Sequence, residues 1–136
     1  MPHGAHRLTT LYGFEPAPWD QAVSAGYAYL AEVAGRAAIT SYQEFSAQVF
    51  DRAGFRVSPN DAALGGLLAA VARRSQAAKS VILPAVLLST DQGQPGTGFF
   101  AFAREIGLLD KRAKQDAKFE FWAEHLTMVF AAYASE

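Results

Sequence analysis

The sequence predicts a mainly α chain of about five helices with one small β element. Three observations predict it. Apolar residues recur at three- and four-residue spacing in most of the chain, the pattern of one buried helix stripe. Start and stop residues suited to helices bracket several of these stretches. Only one segment departs from this pattern, Lys79 to Phe100, KSVILPAVLLSTDQGQPGTGFF. There Val81, Ile82, Leu83, Val86, Leu87 and Leu88 make a β-prone block around Pro84. Asp91 to Gly98, rich in Gly and Pro, follows as a tight loop or short hairpin.

Residues 1–17 read as an N-terminal arm, with Leu8, Leu11, Tyr12 and Phe14 able to dock. The first helix is expected from Pro18 to Gly35. Pro18 suits a first turn and Asp20 complements the dipole. Trp19, Val23, Gly26, Tyr27, Leu30 and Ala34 form its stripe; Tyr29 lies off that stripe and reads as edge packing. The second helix starts at the capping box Ser41-Tyr42-Gln43-Glu44 and stops at Gly54. Tyr42, Phe45, Val49 and Phe50 make its apolar face. The third helix is expected after Ser58-Pro59-Asn60-Asp61, with Ser58 as cap and Asp61 as box partner. Its stripe is Leu64, Leu67, Leu68 and Val71. Gly65-Gly66 lowers helix propensity by about 1 kcal/mol per Gly. Such a pair signals close backbone approach, to another helix in the first instance or to a ligand. Residues 81–89 read as a strand. A short fourth helix carries Phe99, Phe102, Ala103 and Ile106 and stops at Gly107. The fifth, Lys111 to Ala134 behind an Asp110 cap, shows Phe119, Trp122, Leu126, Val129 and Tyr133 at the strongest helical spacing in the chain.

Composition excludes several functions. The chain has 136 residues, 51% of them apolar, which suffices for one domain with a core. No cysteine is present, so disulfides, thiol catalysis and cysteine zinc sites are absent. No run of about 18 apolar residues crosses a membrane. The N-terminus lacks the apolar core of a signal peptide. A cytoplasmic protein is expected. His3 and His6 in the arm are too few for a metal site, and no cofactor is expected. No phosphate-cradling loop occurs, Gly93, Gly96 and Gly98 are too irregular for a dinucleotide fingerprint, and no Ser stands in a GxSxG setting. No catalytic residue is assigned. His125 reads as a packed or surface histidine. The 12 Lys+Arg and 13 Asp+Glu give a net charge of -1, against simple coating of nucleic acid. Residues 41–80 are locally basic: Arg52, Arg56, Arg73, Arg74 and Lys79 against Glu44, Asp51 and Asp61.

Two capped helices, a short turn and then a β element are also the order of a helix-turn-helix with a wing, a winged-helix-like arrangement. An ordinary αα-hairpin gives the same pattern. The order resembles the winged-helix DNA-binding domain of the alkylguanine-DNA alkyltransferases and alkyltransferase-like proteins, over roughly Thr40 to Phe99. Ser41-Tyr42-Gln43-Glu44-Phe45-Ser46 stands where that family has Thr/Ser-Tyr-Gly-Glu-Leu-Ala. Leu64-Gly65-Gly66-Leu67-Leu68 resembles its Gly-rich recognition helix. Val81 to Leu87, then Asp91-Gln92-Gly93, follows its strand, Pro-Cys-His-Arg motif and loop. The family's Cys, His and Arg fall at Ala85, Val86 and Leu87, so alkyl transfer is excluded. Ala85 remains small enough to line a base pocket, as in non-catalytic members.

The resemblance implies a non-enzymatic nucleic-acid-binding or accessory module with double-stranded DNA as partner. Arg73, Arg74 and Lys79 would contact phosphates, Tyr42 the backbone, and Gln92 and Gln94 would stand at the wing tip. Arg73 or Arg74 would take the place of the family's intercalating Arg. The alternative is a protein-protein interaction module on the same frame that does not bind DNA, favoured by the near-neutral charge. Phe121, Met128 and Phe130 widen the apolar surface of the fifth helix, and a homodimer through them is expected.

Overall fold

The computed structural model describes residues 16–59, 61–89, 93 and 95–134. Among these, five helices and a two-stranded sheet follow the order α1 (Pro16–Gly35), β1 (Thr40–Ser41), α2 (Tyr42–Ala53), α3 (Ala62–Lys79), a 3-10 turn (Leu83–Val86), β2 (Leu87–Leu88), α4 (Thr97–Glu105) and α5 (Gln115–Tyr133). The mainly α architecture with a small β element is therefore as the sequence predicts. None of these helices is long and apolar enough to cross a membrane.

Helix α1 begins two residues earlier than expected, so Pro16 and Ala17 belong to it rather than to an arm. The proposed docking residues Leu8 to Phe14 lie outside the described residues. Trp19, Val23 and Leu30 enter the core as their spacing requires. Tyr29 does too, correcting its reading as an edge residue: it is buried, and its hydroxyl bonds the Thr40 hydroxyl at 2.6 Å. Gly26 sits in the middle of α1 against the ring of Phe45, and the two helices close over it.

Helix α2 has the expected cap, with Ser41 Oγ accepting from the Glu44 N–H at 3.1 Å. It ends at Gly54 in the left-handed conformation, φ 68°, as the Gly stop requires. Phe50 is not on the buried face; it is exposed under the Arg56 guanidinium, 4.5 Å from the ring centroid. The cap of α3 is Asp61, not Ser58. Ser58 accepts the Asp61 N–H in a separate turn, and the Asp61 carboxylate then accepts from Ala63. Asp110 likewise caps a turn ahead of α5, accepting from the Arg112 N–H, and α5 starts only at Gln115.

The expected strand over 81–89 is mostly not a strand. Residues 83–86 form a 3-10 turn, and only Leu87–Leu88 pair, parallel to Thr40–Ser41. Pro84 explains the difference, since it lacks an N–H and cannot feed a central ladder. Leu88 bridges Pro95 in the antiparallel sense, which returns the chain toward α4.

The whole segment Val81 to Leu87 is buried. Buried irregular backbone must still satisfy its polar groups, and here side chains from two helices do so. Ser75 on α3 donates its hydroxyl to the Val81 carbonyl at 2.7 Å and accepts from the Leu83 N–H at 2.9 Å. On α5, His125 Nε2 accepts from the Ile82 N–H at 2.8 Å and Trp122 Nε1 donates to the Ala85 carbonyl at 2.9 Å. Three side chains thus hold a turn that no extended ladder supports.

Candidate functional site: an apolar groove beside helix α3

An apolar groove of about 450 Å³ opens between the first half of α3 and the start of α4. One wall is α3, from Ala62 through Gly65, Leu68 and Ala69 to Ala72. The other is Gly96-Thr97-Gly98 with Phe99 and Phe102. The floor is Ile82, Pro84 and Leu87, and Tyr42 closes one side. The stretch Ala62 to Ala72 spans about 15 Å of helix axis. Among the described lining residues only Tyr42, Asp61 and Thr97 have polar side chains.

Gly96 brings the loop against Tyr42. A Cβ at this position would collide with the Tyr42 hydroxyl, so only glycine permits the contact. Burial pushes the Tyr42 phenol above its usual range, and the hydrogen bond from the Gly96 backbone partly offsets this. The phenol is neutral at physiological pH and serves as a wall.

Gly65 has the opposite surroundings. It is exposed on α3 at the groove, and an added Cβ would meet nothing within 4 Å. The sequence expectation that Gly65 lets a neighbouring helix pack closely is therefore corrected. No described part of the fold occupies the space beside it.

The described ones among the predicted DNA-contacting residues do not converge. Tyr42 lines the groove. Arg73 is exposed on α3. Arg74 reaches the other way, donating from Nη1 to Ser24 Oγ on α1 at 3.0 Å. Lys79 donates to the Ala132 carbonyl at 3.2 Å and lies 5.1 Å from the Tyr133 ring centroid. Gln92 and Gln94 lie outside the described residues. The other local cations are engaged as well: Arg52 grips Glu32 through both terminal nitrogens, at 2.9 and 2.8 Å, and Arg56 covers Phe50. Asp61 adds a carboxylate at the groove itself.

Ala85, which the resemblance sets at the alkyltransferase nucleophile's place, is fully buried and does not line the groove; its neighbours Pro84 and Leu87 do. Val86 and Leu87, at the other two positions, are buried too. Of the three candidate interface residues on α5, only Met128 is exposed, at 51%. Phe121 packs on Phe99 and stacks on His125, and Phe130 packs against the core. The fold's own contacts thus account for two of the three side chains that motivated a homodimer. Phe119, assigned to the buried seam, is 50% exposed beside Trp122.

Sequence reasoning missed the groove and the three side chains beneath it. The signal for His125 was present, because 122, 125, 129 and 133 follow helical spacing as well as 122, 126, 129 and 133 do. Compared with known proteins, the chain matches no family model, no curated protein and no solved structure.

Proposed function

We propose that the chain is a non-enzymatic protein-interaction module whose groove takes the apolar face of a partner helix. The observation that carries this reading is Gly65. Gly65 is the fourth residue of α3, where glycine lowers stability by up to about 1 kcal/mol relative to Ala, and no packing within the described fold requires it. With Ala62 and Ala69 beside it, it leaves α3 low enough for another backbone to come close. Helix-in-groove recognition needs such an apolar channel between helices, with pockets for anchors spaced three and four residues apart. The groove supplies aromatic and aliphatic walls and few hydrogen-bonding groups.

A second reading is the nucleic-acid-binding or accessory module that the resemblance to the alkyltransferase-like domains implies. The exposed Arg73 on the second helix of a helix-turn-helix pair favours it. Against it stand the engagement of Arg52, Arg56, Arg74 and Lys79 elsewhere and the carboxylate of Asp61 at the groove.

One binding experiment separates the two. A displayed library of amphipathic helical peptides is selected on the intact chain and counter-tested on Gly65→Leu, while labelled duplex DNA is titrated in parallel at low and moderate salt. The protein reading expects peptides that bind the wild type and lose at least about tenfold on Gly65→Leu, since one well-placed contact is worth about 1.4 kcal/mol or more. It is overturned if every selected peptide ignores that substitution. DNA binding lost in Arg73→Ala/Arg74→Ala, with a salt slope falling by about one per phosphate contact, would establish the nucleic-acid reading instead.

A further inference from the structure

His125 is the most deeply placed titratable side chain in contact with the groove's floor. It is 2% exposed. Its Nε2 accepts from the Ile82 N–H at 2.8 Å, so that nitrogen carries no proton. Its ring stacks on Phe121, with centroids 5.4 Å apart and planes 21° apart, and lies 6.0 Å from Phe99. Ile82 and Phe99 both line the groove. One imidazole therefore touches the groove's floor and one of its walls from behind.

We propose that His125 is a proton-sensitive clasp on the groove: the neutral ring holds Ile82 in place, and protonation releases the turn and deforms the site. The chemistry follows from the hydrogen bond. A protonated Nε2 is a donor and faces another donor, the Ile82 N–H, so the bond is replaced by two opposed N–H groups. The charge would also be held in an aromatic and aliphatic setting with no counter-ion among the described residues. The 3-10 turn and its flanks, residues 81–88, contain no titratable residue. On α4, Phe99 faces the ring, while Arg104 donates to the Asp110 and Ala113 carbonyls. On α3, Ser75 is neutral and Lys79 is held at Ala132. On α1, Tyr27 bonds the Tyr133 hydroxyl at 2.7 Å. On α5 itself Glu120 and Glu124 are exposed, and Lys118 lies over Phe100. Burial accordingly holds the His125 pKa below the ordinary histidine range.

The response is local because of what holds the turn. The buried polar groups of residues 81–86 are met by Ser75, His125 and Trp122 and not by a ladder, while α1, α3 and α5 pack around the turn. Losing one of the three hydrogen-bonding supports therefore loosens the floor within that packing. The structural claim stands without a ligand; its consequence for binding rests on the groove reading above.

The test is a proton NMR titration of the intact chain from neutral to acid pH. It follows the His125 ring, the Ile82 amide and a remote reporter, the Trp19 indole. The expected result is a ring midpoint below the usual histidine value, with the Ile82 amide shifting at that same midpoint and Trp19 unmoved. In parallel, the folding equilibrium constant of the wild type falls with acid by up to about tenfold per pH unit, the slope of one extra proton taken up on unfolding. His125→Gln offers an amide oxygen to the same N–H and does not titrate, so this slope should flatten. An Ile82 amide that stays fixed while the ring protonates overturns the clasp, as does a ring that titrates at the ordinary histidine value. The wild-type titration decides the matter even where the Gln variant does not fold. If no peptide binds at any pH while these shifts occur, the groove reading fails and the clasp stands.

Discussion

Gly26 and Gly65 are both helical glycines, and the two sides of the molecule treat them oppositely. At Gly26, on the face where α1 meets α2 and α3, a Cβ would stand 2.8 Å from Phe45 Cζ and 3.6 Å from Val71 Cγ2. At Gly65, on the face where α3 meets the groove, a Cβ would meet nothing within 4 Å. The first glycine is explained by the fold. The second lowers helix stability with no compensating contact among the described residues, and such a local cost marks a place where something other than the described packing has shaped the chain. The same residue type thus reads as packing in one helix and as a binding surface in another, and only its neighbours distinguish the two.

The largest effect is expected from emptying the packed side. Phe45→Ala removes a fully buried ring that lies against Gly26, and the cavity should lower stability by about 3–5 kcal/mol in urea denaturation. A loss below about 1 kcal/mol would mean that this side is as loose as the groove and would remove the contrast. Gly26→Ala comes next. The added methyl must displace Phe45, and overpacking of this kind costs about 1–3 kcal/mol. Trp122→Phe should cost a similar or smaller amount, about 1–3 kcal/mol, because it leaves the buried Ala85 carbonyl without its donor.

The smallest effect is at the rim of the packed side. Arg52 hydrogen-bonds the Glu32 carboxylate and holds it below its usual pKa. A lowered carboxylate pKa stabilises the fold above the ordinary carboxylate range, and that contribution is lost as pH falls through the folded value. The pair is exposed, so Glu32→Gln should cost less than about 1 kcal/mol at neutral pH and nothing in acid. Equal losses at both pH values would show that the bridge contributes something other than charge.

Much of the fold behind this contrast was legible in the sequence, and the contrast itself was not. Helix existence was, because five apolar stripes at 3.6-residue spacing leave few alternatives, and the Ser41 cap and the Gly54 and Gly107 stops lie where their chemistry places them. Tyr29 and Phe50 were misassigned because a stripe identifies a face but not its width; a hydroxyl bonded to Thr40 and a ring covered by Arg56 are tertiary facts. The strand over 81–89 looked continuous because apolar β-prone residues also fill buried turns, and Pro84 gave the only local hint. Residues of the groove wall, Gly65 among them, were visible as a Gly pair, but their environment was not. Whether a helical glycine faces a ring or open space depends on chain separated by tens of residues. The convergence of Ser75, Trp122 and His125 on one turn is invisible to periodicity for the same reason.

The most direct test of the central claim is a pair of melting curves. Gly26→Ala and Gly65→Ala make the same chemical change, in two helices, against opposite surroundings. Relative to wild type, Gly65→Ala should gain up to about 1 kcal/mol of helix propensity and melt a few degrees higher. Gly26→Ala should melt several degrees lower despite the same gain in propensity. Opposite signs are the predicted result. If Gly65→Ala melts lower as well, that glycine is required by packing, and the reason to read its face as a binding surface disappears.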